Sequence, residues 1–176
     1  MIDLKQDYFA LFGLVPAFSI DMEKLEQAYI DIQARVHPDR FAHLSDTEKR
    51  LSMQWATHAN EAFRTLKGPL TRGHYLLELR GVDPGFDTNT AMSPDFLMEQ
   101  MEWREALGEA TDAADEDALD DLSRRLRQST RALEAELARQ LDDAGDLEGA
   151  ADSVRRMKFL EKLQHEINDA LTALES

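Results

Sequence analysis

The chain of 176 residues contains no cysteine, which excludes disulfides, thiolate nucleophiles and any cysteine-ligated zinc or iron–sulfur site built by this chain alone. No stretch approaches the roughly 18 consecutive apolar residues of a membrane span. The start, MIDLKQDYFALFGL, lacks the basic segment and apolar core of a signal peptide. With only 8 glycines and 5 prolines, the composition favours helices. We therefore expect an all-α cytoplasmic protein without cofactor, bound metal or membrane partner.

Charge is distributed unevenly along the chain, whose net charge is −15. Residues 1–80 hold 10 Lys or Arg and 11 Asp or Glu, whereas residues 81–176 hold 10 and 24. The asymmetry indicates two modules with different partners, and the acidic module is not expected to bind nucleic acid.

Two amphipathic helices are predicted in the first half. The first has Asp21 as its N-cap and stops before Pro38, because the residue before a proline is pushed out of the α region. The second begins where Ser45 and Glu48 have the spacing of a capping box, and it closes at Gly68. A short connection makes them an antiparallel hairpin with HPDRFAHLS at its exposed tip.

The second half reads as a three-helix bundle. Residues 81–92 are rich in Gly, Pro, Asp and Asn and lack apolar periodicity, which is typical of a domain boundary. Helices are predicted at about 93–110, 115–142 and 147–174, and their short connections favour an antiparallel arrangement. The predicted domains are residues 1–80, 81–92 as a linker, and 93–176.

The ionisable groups at the hairpin tip allow more than one interpretation. His37 and Asp39 could form a catalytic or metal-binding pair, with His43 as the only other nearby candidate. An exposed tip offers no pocket that would perturb a pKa, which speaks against catalysis. The alternative is a structural turn in which Pro38 fixes the backbone and Asp39 bonds to nearby N–H groups.

The tip and its flanking segments together resemble a J-domain. His37-Pro38-Asp39 follows DYFALFGL and precedes NEAFRTLKGPLTRGHYLL, so the resemblance covers residues 7 to about 80. It implies that the module stimulates ATP hydrolysis by a chaperone of the seventy-kilodalton heat-shock type. It also implies that the tip residues contact the chaperone beside a positive rim of Arg35, Arg40 and Lys49. Whether Arg50 joins this contact is left open.

The first helix of the acidic half carries more apolar residues than one buried stripe needs. At about 100° per residue, Phe96, Trp103 and Leu107 share one face, while a second apolar set lies about 100° to 200° away. That set is interpreted as a binding patch, although packing against other parts of the chain is the alternative. The last helix adds an aromatic residue offset by roughly 110° from its buried stripe. The patch residues are Leu97, Met98, Met101 and Phe159, with Glu102 and Glu105 at the rim.

A J-domain followed by an acidic three-helix bundle containing FLMEQMEWREAL and KFLEKL is similar to the HscB family of co-chaperones. The resemblance implies an L-shaped adaptor that is not an enzyme. Its bundle binds an IscU-type iron–sulfur scaffold and its J-domain engages an HscA-type chaperone. We expect it to act as a monomer. Two alternatives remain: a J-protein with a different client, and a metal-dependent enzyme using His37 and Asp39.

Overall fold

The computed structural model describes residues 2–85 and 92–176, and no strand occurs within these ranges. The chain divides into two compact units, Met1–Leu79 and Arg80–Ser176. The predicted all-α class is therefore confirmed. Of the predicted linker, residues 86–91 lie outside the described residues.

The first unit begins with a one-turn helix and continues as the predicted hairpin. Its helices are α1 (Tyr8–Leu11), α2 (Met22–Val36), α3 (Asp46–Lys67) and α4 (Pro69–Leu79). The Asp21 carboxylate accepts hydrogen bonds from the N–H groups of Glu23 and Lys24, as its predicted N-cap role requires. The capping box of Ser45 and Glu48 is present with both reciprocal bonds.

The core of the first unit lies between α2 and α3, closed by α1 and α4. A buried arginine on α4, Arg72, locks this arrangement. Its Nε donates to the carbonyl of Phe18 at 2.6 Å and its Nη1 to the carbonyl of Leu66 at 2.7 Å. The bonds compensate the cost of burying a guanidinium and fix α4 against the end of α3. The core side chains include Phe9, Leu25, Ile32, Ala59, Ala62, Leu66 and Leu76.

The second unit is the predicted bundle of three helices. They are α5 (Pro94–Asp112), α6 (Glu116–Ala138) and α7 (Leu147–Glu175), and every pair of them is in contact. Short connections make them antiparallel. None of the helices in the two described ranges has the length and apolar content that crossing a bilayer requires. The core includes Phe96, Trp103, Leu119, Leu122, Leu126, Phe159, Leu163 and Ile167.

The end of α6 differs from the uninterrupted helix predicted to residue 142. Its last turn, Arg139–Ala144, is π-helical and stops at Gly145, whose φ of 63° is the left-handed conformation that glycine tolerates. The wider turn accompanies the burial of Gln140, which accepts a hydrogen bond from the Ser153 hydroxyl at 2.8 Å. A buried polar contact with α7 therefore accompanies the departure from regular helix.

Candidate functional site

The first candidate site is the turn between α2 and α3. Helix α2 ends at Val36, and His37 leaves the helix with φ −57° and ψ 133°, the extended conformation expected before a proline. Residues Pro38–Phe41 then form one 3₁₀ turn, so the predicted loop contains regular structure. The Asp39 side chain is 92% exposed. The turn is therefore ordered and presents its carboxylate to solvent.

Two hydrogen bonds within the turn involve His37. The Asp39 N–H donates to His37 Nδ1 at 3.2 Å, and the Arg40 N–H donates to the His37 carbonyl at 3.0 Å. His37 Nδ1 is therefore engaged within the turn, and it also lies 3.6 Å from the Asp39 carboxylate. The side chains of His37 and Asp39 are 59% and 92% exposed, so both can be reached by a partner.

The turn is anchored to α3 at two points. The Ser52 hydroxyl donates to the Val36 carbonyl at 2.6 Å and is fully buried. The ring of Phe41 meets Trp55 edge-on, with centroids 6.1 Å apart. Sequence reasoning missed Ser52, although its spacing of three residues before Trp55 puts it on the buried stripe of α3. A small polar residue on an apolar stripe was the available signal.

The basic residues considered for the positive rim lie at the end of α2, within the turn and near the start of α3. Arg35, Arg40 and Lys49 are all exposed, as is Arg50. Within the described ranges, none of these four side chains forms an ion pair. Four exposed positive charges without an ion pair in the described ranges therefore lie within 11 residues of Asp39 in the sequence.

The metal-site interpretation needs further ligands near His37 and Asp39. In the part of the chain that the structure describes, no three His, Asp or Glu side chains are grouped as a metal site would need. His43, the third candidate named from the sequence, is exposed on the same turn and does not complete a group with them.

The second candidate site is the outer face of α5. Its two apolar sets lie on different faces, as the helical angles predict. In the first set, Phe96 and Trp103 are buried. The second set is exposed, at 46% for Leu97, 61% for Met98 and 72% for Met101. Glu102 and Glu105 are exposed as well. An apolar patch with acidic neighbours is thus present on α5, which is one of the two arrangements that the sequence left open.

The structure corrects the placement of Phe159, which was expected to lie outside the buried stripe of α7. Only 9% of this residue is exposed, and its ring packs edge-to-face on Phe96 with centroids 5.8 Å apart. The physical reason is that α7 contacts both α5 and α6, so it buries an arc wider than a single stripe. Phe159 therefore lies behind the exposed patch, within the core.

Reciprocal arginine contacts join α5 and α7 around this aromatic pair. Arg104 on α5 lies over the Phe159 ring at 5.5 Å and bonds to the Glu166 carboxylate of α7 at 2.8 Å. Arg156 on α7 lies over the Phe96 ring at 4.8 Å and reaches the Glu99 carboxylate of α5 at 3.3 Å. The guanidinium groups cover the aromatic pair and tie the patch-bearing helix to the bundle.

Comparisons with known proteins cover the chain almost completely. Residues 92–168 match the family model described as the HSCB C-terminal oligomerisation domain. The co-chaperone protein HscB homolog of Azoarcus sp. (strain BH72) is 63% identical, over 99% of both chains. The structure of chaperone HscB from Vibrio cholerae is 38% identical with a TM-score of 0.85, over 96% of this chain and 99% of that one. The crystal structure of human co-chaperone protein HscB is 32% identical with a TM-score of 0.88, over 94% of this chain and 82% of that chain.

Proposed function

The chain belongs to the HscB family of co-chaperones, and from this membership we propose that it binds an IscU-type iron–sulfur scaffold and presents it to an HscA-type chaperone. In this proposal the protein stimulates the chaperone's ATPase and aids cluster assembly and transfer. The ATP chemistry takes place in the chaperone, so the protein itself is not an enzyme and needs no cofactor.

The observation that carries the proposal is the exposed and internally bonded turn of His37, Pro38 and Asp39. A stiff turn loses little conformational entropy on docking, and the 3₁₀ bonds with the Ser52 anchor supply that stiffness. Hydrogen bonds to the charged Asp39 are of the stronger kind, worth roughly 1.5 to 3 kcal/mol each. The positive rim supports the encounter with an acidic partner surface. Its proposed members are Arg35, Arg40 and Lys49.

The proposed scaffold surface is the exposed patch of α5. Leu97, Met98 and Met101 are its apolar anchors, and Glu102 and Glu105 make polar contacts at the rim. Exposed Leu and Met side chains lose contact with water on docking, which favours binding. Phe159 supports this surface from behind through its ring contact with Phe96.

Each unit thus has its own proposed partner. Residues 1–80 act as the J-domain, 81–92 as the linker and 93–176 as the scaffold-binding bundle. The excess of acidic groups in residues 81–176 repels a phosphate backbone, which supports a role without nucleic acid. We propose a cytoplasmic monomer without a membrane partner.

Steady-state ATPase measurements with chaperone, scaffold and this protein in all combinations test the proposal. The wild type should raise ATP turnover, and more so with scaffold present. His37→Gln should return turnover to the level of the chaperone alone, with unchanged helical circular dichroism and scaffold binding. His43→Gln is the matched control, since it changes an exposed histidine on the same turn and should stimulate normally. Undiminished stimulation by His37→Gln would refute the assignment of the turn.

A further inference from the structure

Gly108 lies on the exposed side of α5, four residues before the helix ends. Glycine is the poorest helix former after proline, because it loses the most backbone entropy on folding. A Cβ placed on Gly108 would meet nothing within 4 Å, and its φ is not in the left-handed region. Neither packing nor backbone conformation of the folded chain therefore requires glycine here.

The same segment lacks glycine at the position where the backbone favours it. Ala114, two residues after α5, has a φ of 50°, and it is the only residue other than glycine with positive φ in the described ranges. An L-residue with a Cβ is strained in this conformation, and helices commonly place glycine there. The segment thus has glycine at a regular helical position and alanine where positive φ favours glycine. The folded chain alone gives no reason for glycine at position 108.

Gly108 is aligned with the exposed patch. It follows Met101 by seven residues, which is about 700° of helix rotation and brings it to within about 20° of the same stripe. Leu97, eleven residues earlier, is also within about 20°. The intervening Arg104 is held by Glu166 and the Phe159 ring on α7. Bare backbone at Gly108 therefore extends the patch by about 10 Å along the helix.

We infer that Gly108 is the point where the scaffold approaches the α5 backbone most closely, an inference that rests on the proposed scaffold-binding function. Leu97, Met98 and Met101 supply side chains that enter the partner, whereas at Gly108 the partner enters the space that a side chain would fill. Glycine serves such close backbone approach. The partner element lies along α5, with an apolar surface over the patch and basic groups toward Glu105.

The substitution Gly108→Ala separates folding from binding, because the two readouts should move in opposite directions. It should raise the thermal midpoint by about 2 to 5 °C, as expected for replacing glycine within a helix. It should weaken scaffold binding about threefold to tenfold, and Gly108→Leu by more than about tenfold. Thermal denaturation of the full chain gives the midpoint. Titration calorimetry of the full chain with purified scaffold gives the affinity.

Two variants serve as controls. Ala114→Gly relieves the left-handed position and should also raise the thermal midpoint, yet leave scaffold affinity within about twofold of wild type. Ala135→Leu places the same side chain as Gly108→Leu at an exposed position of α6 and should bind normally.

The possible failures are distinguishable. Wild-type affinity in both Gly108→Ala and Gly108→Leu would overturn the close-approach inference while the scaffold proposal stands. A lowered thermal midpoint in Gly108→Ala would also overturn it, because glycine would then be needed for folding. If the wild type itself binds no scaffold, the proposed function fails and the inference with it.

Discussion

The guanidinium of Arg104 lies 5.5 Å from the centroid of the Phe159 ring, and its Nη1 bonds to the Glu166 carboxylate at 2.8 Å. The ion pair holds the cation over the ring, so Phe159 is covered from outside by Arg104 and from within by Phe96. A large aromatic residue in such a position contributes mainly to the stability of the bundle. Loss of scaffold binding on truncating Phe159 would therefore reflect damage to the fold and to the support of the exposed patch.

The first prediction compares the stabilities of Phe159→Ala and Leu97→Ala. Removing the buried ring leaves a cavity beside Phe96, and the free energy of unfolding should fall by about 3 kcal/mol or more. Leu97 is half exposed, so its truncation should change that free energy by about 0.5 kcal/mol or less. Urea denaturation followed by circular dichroism measures both. Equal, small changes in the two variants would contradict the burial of Phe159.

The second prediction concerns the affinity for the scaffold. Burial of an exposed Leu or Met side chain is worth about 1.5 to 3 kcal/mol, so Met98→Ala should weaken scaffold binding about tenfold or more. Met53→Ala is a matched control, because Met53 on α3 is 63% exposed, compared with 61% for Met98. That control should bind the scaffold normally. Equal affinities for the two variants in titration calorimetry would exclude Met98 from the interface.

Much of this arrangement could be predicted from local sequence signals. Asp21 and the capping box of Ser45 and Glu48 act through neighbours three residues away or nearer, so their roles depend little on the rest of the fold. The helical angle of Met101 placed it away from the buried face of α5, whereas its exposure was one of two alternatives that the sequence left open. The burial of Phe159 could not be predicted in this way, because it depends on how many neighbouring helices α7 contacts.

The hydrogen-bond partner of Ser52 could not be found by local reasoning either, since it lies 16 residues earlier, at the end of another helix. The hydroxyl bonds to the Val36 carbonyl, which has lost its helical partner because the Arg40 N–H donates to the His37 carbonyl instead. A long-range bond of this kind is visible only when the register between α2 and α3 is known. The sequence shows the residue types but not that register.

The third prediction tests Ser52 as a positioning residue for the tip. Ser52→Ala leaves the buried Val36 carbonyl unpaired, which should cost about 1 to 3 kcal/mol of stability. It should also raise the concentration needed for half-maximal ATPase stimulation, because the turn is less firmly held. Ser45→Ala is the control: it removes the cap of α3 at a cost of about 1 kcal/mol but leaves the Val36 bond intact. If both variants shift stimulation equally, Ser52 acts through stability alone.

The fourth prediction concerns alkaline pH and the stacked tyrosines of the first unit. The rings of Tyr8 and Tyr75 lie 4.5 Å apart, and the Tyr8 N–H donates to the Tyr75 hydroxyl at 2.9 Å. Burial raises the pKa of Tyr8 above its ordinary value of 10.0, and the negative charge of Glu61 adds to this. Burial likewise raises the pKa of Tyr75, partly offset by the bond from the Tyr8 backbone.

These directions fix how stability depends on pH. A phenol with a raised pKa in the folded state keeps its proton longer than in the unfolded chain, so the folded state binds more protons as pH rises through 10.0. The stabilisation is fully present below pH 10.0 and is lost as the pH rises from 10.0 through the raised pKa of the folded state.

Urea midpoints should therefore decline above pH 10.0, and more gently in Tyr75→Phe, which removes one titrating group. Ultraviolet titration of Tyr29→Phe isolates the pair, since the chain has three tyrosines. The prediction would be contradicted if the two phenols titrated at their ordinary pKa of 10.0 and the urea midpoint did not decline above that pH.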